Sequence, residues 1–244
     1  MPEFKDLTKL LLENGIYIET LLVIYTLPLL ITIINFFKYI IGTKTIGTFT
    51  PILIVYIFWT IAGIKGTFST TDFFQILGKE VLLSFILLTT LFGSIALVYS
   101  MLYKIKLHYL PKISTILIFA IVSMILLFWA LIKLNFNFLD KITPLSIILL
   151  VIVSEQFLGV YIKNDLAKAI YLFLETFIVS VITYFIIIQP QILNTLIINP
   201  WIILISLPLN ILIGKFTGLR LTEYFRFYEL LTQNKDADSS DPEK

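Results

Sequence analysis

The chain has 244 residues, 58% hydrophobic and 14% charged, with a mean hydropathy of +0.96. Soluble domains are roughly 45–50% apolar and about 25% charged, so a water-soluble globule is excluded. A net charge of +2 gives no footing for nucleic acid. With no cysteine and one histidine, His108, there is no material for a disulfide, a thiol nucleophile or a His- or Cys-built metal centre, and no cofactor is expected.

Residues 1–15, MPEFKDLTKLLLENG, are mixed in charge and lack a small-residue cleavage site. They read as a short N-terminus ahead of a retained first span, not as a leader. Span 1 is predicted over Ile16–Ile41, with Tyr25, Pro28, Thr32 and Asn35 on one helical face. The short link GTKTIGT (42–48) makes a tight antiparallel pair with span 2, Phe49–Ile64, whose Tyr56, Thr60 and Gly63 share a face. Span 3, Phe73–Tyr103, enters through an interfacial Lys79–Glu80 pair. Its Thr89, Gly93, Ala96 and Ser100 form a small-residue stripe expected to pack against another helix. Span 4, Ile113–Lys133, is the most purely apolar and is expected to be the most lipid-exposed.

Span 5 (142–162) and span 6 (167–188) are separated by KNDLAK, where Asn164 or Asp165 suits the N-cap of span 6. Span 7, Leu196–Ile213, carries Pro208 and Asn210. Over 214–232, Leu221, Tyr224, Phe225 and Tyr228 line one side, while Arg220, Glu223 and Arg226 are spaced as i,i+3 charge pairs. This predicts an amphipathic juxtamembrane helix on the inner leaflet, followed by a disordered tail over 233–244. The expected fold is an all-α polytopic membrane protein. A seven-transmembrane-helix bundle over 16–213 is joined to that C-terminal helix.

Seven spans put the termini on opposite sides. Twelve Lys and Arg fall on the C-terminal side and six on the other, and excess Lys and Arg marks the cytoplasm. A multi-pass protein of the bacterial inner membrane is expected, with the N-terminus extracytoplasmic and the C-terminus cytoplasmic. The same register puts Trp59, Trp129 and Trp201 near the outer interface, where Trp is enriched.

Two carboxylates lie inside spans: Glu155 and Glu175. At 1.5 Å per residue both sit roughly 10–12 Å above the inner boundary. Gln156 adjoins the first, and Lys168 and Tyr171 share a face with the second. Asn35 and Asn210 occupy the inner halves of spans 1 and 7, with Lys215 and Arg220 just below. These residues form a candidate inner polar cluster, expected to point into the bundle because an acid facing lipid is costly. The cluster reads as structural glue, with Glu155 neutral or paired to Lys168, Lys215 or Arg220, or as a ligand, ion or proton site. No catalytic set emerges: all seven Asp lie in loops, helix ends or tail, and no span offers a histidine base.

The runs TIGTFTPILI (45–54), LPKISTILI (110–118), Ser154-Glu155-Gln156-Phe157 and GKFTGLRLTEYFRF (214–227) occur in an order that carries a resemblance. The chain resembles the bacterial seven-transmembrane module usually fused to an inactive transglutaminase-like domain. The resemblance implies an inner-membrane protein associated with ATP-grasp peptide ligases and retropepsin-like proteases, and it transfers no catalytic residue. Only about fifteen residues precede span 1 here, so the soluble domain is expected outside this sequence. Two functions follow. The first is a non-enzymatic module that scaffolds, senses or transduces for partners, with the bilayer around it and a soluble or membrane protein beside it. The second is a transporter or channel using Glu155 and Glu175.

Overall fold

The computed structural model describes residues 7–15, 17–62, 70–102, 109–133, 142–215, 218 and 220–224. The expectations for Gly63, His108, Phe225, Arg226, Tyr228 and the 233–244 tail lie outside these residues. Among the described residues the regular structure is helical throughout. Helix α1 is Leu7–Glu13, α2 is Ile18–Phe36, α3 is Phe49–Ala62, α4 is Thr70–Leu102 and α5 is Tyr109–Lys133. Then come α6 (Pro144–Lys163), α7 (Leu166–Ile187), α8 (Pro190–Ile198) and α9 (Ile202–Gly214).

Helices α2, α4, α5, α6 and α7 are long and apolar enough to cross a membrane, and the α8–α9 pair makes a sixth if taken as one bent span. Of the five, α5 is the most apolar and the least buried, as expected for span 4. Helix α3 has 14 described residues, about 21 Å, and residues 63–69 after it lie outside the described ones. Ten of its residues, from Thr50 to Ala62, are buried, and it packs against α2, α4, α6 and α7.

A cluster of phenylalanines sits within a core that is mostly Ile and Leu. Phe92 of α4 stacks on Phe157 of α6 at 4.1 Å and meets Phe173 of α7 edge-on at 4.4 Å. Phe58 of α3 meets Tyr184 and Phe177 of α7 edge-on at 5.4 and 5.6 Å. In lipid, where apolar burial gives little drive for association, this close packing of large flat groups is what dispersion can use.

Several expectations are corrected. The N-terminal segment carries its own short helix, α1, ahead of a first span that starts close to the expected position. Thr8 of α1 ties it to the bundle by donating to the Ile197 carbonyl at 2.9 Å. Span 7 is not one helix from Leu196: α8 and α9 meet at 111° across residues 199–201. Pro200 is the cause, since the ring holds the preceding residue away from the helical region, and Asn199 sits at φ −128°, ψ 75°. The small-residue stripe of α4 faces outward, with Thr89, Gly93 and Ser100 exposed. The core side of α4 is Leu83, Leu87, Leu88, Leu91, Phe92 and Ile95. Trp59 is buried at 3% exposure and Trp129 and Trp201 are exposed, which leaves the common depth expected for the three as it stands. Asp165 stands at the N-cap of α7 without a side-chain cap bond, and Asn164 instead donates back to Val160 of α6 at 3.1 Å.

Candidate functional site

The first span does not end as an α-helix. Residues Phe37–Ile41 widen into a π turn closed by Gly42 N–H donating to the Phe37 carbonyl at 3.0 Å. Gly42 then turns left-handed, φ +91°, a region L side chains rarely adopt. The link that follows is threaded into the bundle. Glu175 Oε1 accepts from the Lys44 backbone N–H at 2.8 Å, and Thr176 Oγ1 accepts from Ile46 N–H at 2.9 Å. Both acceptors lie nine or ten residues inside α7, roughly 14 Å from its first turn. The link is therefore recessed.

The C-terminal segment closes over this recess. A Cβ on Gly42 would land on the Thr222 hydroxyl and lie 3.1 Å from Arg220 Cβ. Residues 221–224 form a helical turn. Glu223 reaches back so that its Oε2 accepts from Arg220 N–H at 3.3 Å. The charge pair expected from i,i+3 spacing is thus spent on a backbone cap. Lys38 Nζ donates to Thr48 Oγ1 at 3.4 Å across the link.

A second polar group joins the same end. Asn35 Nδ2 donates to Asn210 Oδ1 at 2.9 Å, and Asn210 Nδ2 donates to Thr32 Oγ1 at 2.7 Å and to the Ser206 carbonyl at 2.9 Å. Thr32 in turn donates to the Pro28 carbonyl at 2.9 Å. The stripe of Pro28, Thr32 and Asn35 read on span 1 is the face that receives α9. Because the late residues of α9 meet the late residues of α2, these two helices run in the same direction.

The remaining candidates are dispersed. Glu155 and Gln156 are exposed on the outside of α6, away from Glu175. The buried stripe of α6 is Ser146, Leu150, Val153, Ser154, Phe157 and Leu158. At 100° per residue Glu155 lies roughly 140° round the helix from its middle. The expectation that both acids point inward is corrected for Glu155: it makes no bond to Lys168, Lys215 or Arg220. Those three residues are exposed. Lys168 lies on a separate cavity with Tyr99, Tyr161 and Lys163.

Glu175 Oε2 and Thr43 Oγ1 are buried without a hydrogen-bond partner among the described residues. The carboxylate anchors backbone. No nucleophile–base pair stands beside it, and the described residues hold no group of three or more His, Cys, Asp or Glu. Thr43, Lys44, Thr176 and Thr222 were not singled out from sequence; the Thr-rich link was the available signal.

This is an all-α polytopic membrane protein, a helical bundle whose first and last spans are tied at one end. The pattern of the family described as 7 transmembrane helices usually fused to an inactive transglutaminase matches residues 6–231, and the chain belongs to that family. Seven spans follow when the short α3 and the bent α8–α9 pair are each counted as one. No curated protein and no solved structure matches the chain.

Proposed function

We propose that the chain is a non-enzymatic membrane module that holds partner chains in place, a scaffold or transducer for the kind of soluble domain its family is fused to. The observation that supports this reading is the outward face of α6. There Glu155 and Gln156 sit in line with exposed Ile148 and Ile152, and nothing in the described chain covers them. A charged side chain facing mid-bilayer costs roughly 2.5–3.5 kcal/mol on insertion scales. A transmembrane helix from a partner, offering a hydrogen-bond donor at that depth, removes the cost. The Lys and Arg distribution supports an extracytoplasmic N-terminus and a cytoplasmic C-terminus in a bacterial inner membrane. By resemblance, the soluble partners are a transglutaminase-like domain, an ATP-grasp ligase or a retropepsin-like protease.

The chain has no cysteine, so a single Gln156→Cys variant gives a clean cross-linking site in native membranes. The expected result is a protein adduct at 156, identified by mass spectrometry, and none from Val122→Cys on the exposed face of α5. Lipid-only labelling at both positions would remove the support for this reading. The second reading, a transporter or channel, is favoured by one feature, the 111° break between α8 and α9, since discontinuous helices line many transport sites. Solute flux into reconstituted vesicles, abolished by straightening the break with Pro200→Ala, is its test.

A further inference from the structure

At the end of the bundle opposite Gly42, a cavity of about 630 Å³ opens between α2, α3 and α6. That volume is in the range of small-ligand sites. Its polar lining is Glu19, Thr20, Tyr56, Thr60 and Thr143, beside Trp59 with its indole N–H, against apolar walls of Val23, Leu145 and Leu149. The direction of each hydroxyl bond can be worked out. A backbone carbonyl only accepts, so Thr60 donates its proton to the Ile57 carbonyl at 3.0 Å, and Tyr56 donates to the Val23 carbonyl at 3.0 Å. With the Thr60 proton spent, Ser146 Oγ must donate to Thr60 Oγ1 at 2.8 Å. With that proton spent in turn, Thr143 must donate to Ser146 Oγ at 2.8 Å.

Tyr56, Thr60 and Thr143 therefore turn only lone pairs toward the cavity. Among the described lining hydroxyls, Thr20 alone keeps a proton to give. The one charge on the described lining is the Glu19 carboxylate. A ligand that carries negative charge meets no opposite charge on the described lining, where the donors are the Thr20 hydroxyl and the Trp59 indole N–H and the remaining oxygens accept. We infer that this cavity binds an ammonium group on a short apolar body, its N–H donors directed at these oxygens and its charge at Glu19. The ammonium could arrive on a soluble amine or on an aminophospholipid headgroup, and the two sources give different readouts.

Trp59 lines the cavity, and the chain has only two other tryptophans, Trp129 and Trp201. Both are exposed, so a W129F/W201F background leaves Trp59 as the sole emitter. In phosphatidylglycerol bilayers, hexylammonium is expected to shift Trp59 emission saturably, while hexanol at the same concentrations is not. Glu19 is exposed, so E19Q keeps the fold, and it should weaken the hexylammonium midpoint about tenfold or more. Equal responses to hexylammonium and hexanol, or an unchanged midpoint in E19Q, would overturn the assignment. Replacing half the phosphatidylglycerol by phosphatidylethanolamine separates the sources. A shift before any amine is added, with a raised hexylammonium midpoint, assigns the lipid headgroup; an unchanged titration assigns a soluble amine.

Discussion

A methyl group added at Gly42 and one added at Gly93 meet opposite surroundings. Gly42 holds φ +91° with the Thr222 hydroxyl where a Cβ would stand, whereas a Cβ on Gly93 meets nothing within 4 Å. Gly42→Ala should therefore destabilise the protein by about 1–3 kcal/mol and release the C-terminal segment to protease. Gly93→Ala should stabilise α4 by up to about 1 kcal/mol. Thermal midpoints in detergent, with limited proteolysis at the C-terminus, check both. If the two variants melt together, the seat of Arg220 and Thr222 on Gly42 contributes nothing. Glu155 makes a further contrast. It is exposed and has no partner in the described chain, so Glu155→Leu should leave the midpoint of the isolated protein no lower than wild type. In native membranes the same change should lose cross-linking at 156.

At the scale of elements, the joint between α2 and α9 is the clearest case of two helices held by polar atoms. Asn210 makes two bonds across it, one to Asn35 and one to Thr32, and a third back to Ser206 of its own helix. Asn210→Leu is expected to cost more than Asn35→Leu. A double-mutant cycle in thermal or denaturant unfolding should return a coupling of about 0.6 kcal/mol, with about 1.7 as the ceiling for such bonds in membranes. This joint was legible in the sequence, because two asparagines in otherwise apolar spans had few other places to go. The outward turn of Glu155 was not. Span 5 is apolar on every side, so its periodicity marks no face, and the cost of an acid in lipid turns it inward only where no other chain covers it. The break at Asn199 and Pro200 is legible as an Asn-Pro step inside an apolar run, since the residue before proline leaves the helical region. The stripe on α4 misled for a physical reason: small residues permit close approach without requiring it, and the large residues on the opposite face hold the bundle together.

Across the whole molecule, α2 and α9 run in the same direction, and Arg220 returns to the end where α2 finishes. With twelve Lys and Arg on the C-terminal side, that end is proposed to be cytoplasmic. A green fluorescent protein fused after residue 224 should fluoresce, and alkaline phosphatase at the same point should stay inactive. The reverse pattern would invert every side assignment made for the bundle. Fold class and the approximate reach of most spans were readable from hydropathy alone, because a bilayer demands runs of about 20 apolar residues. The recess at residues 43–46 was not, since it depends on Glu175 and Thr176, some 130 residues away.

The Asn35–Asn210 bond spans 175 residues of chain, and this orders the protein's biosynthesis. The first span enters the bilayer with Asn35 on the face that meets the last span in the finished bundle. Until α9 leaves the ribosome, the nascent bundle carries a polar mark in hydrocarbon, where unpaired amides are costly. A chain stalled or truncated before residue 210 retains that mark permanently. Any quality-control protease that senses polar groups in the lipid phase can then tell incomplete copies from finished ones without reading their soluble parts.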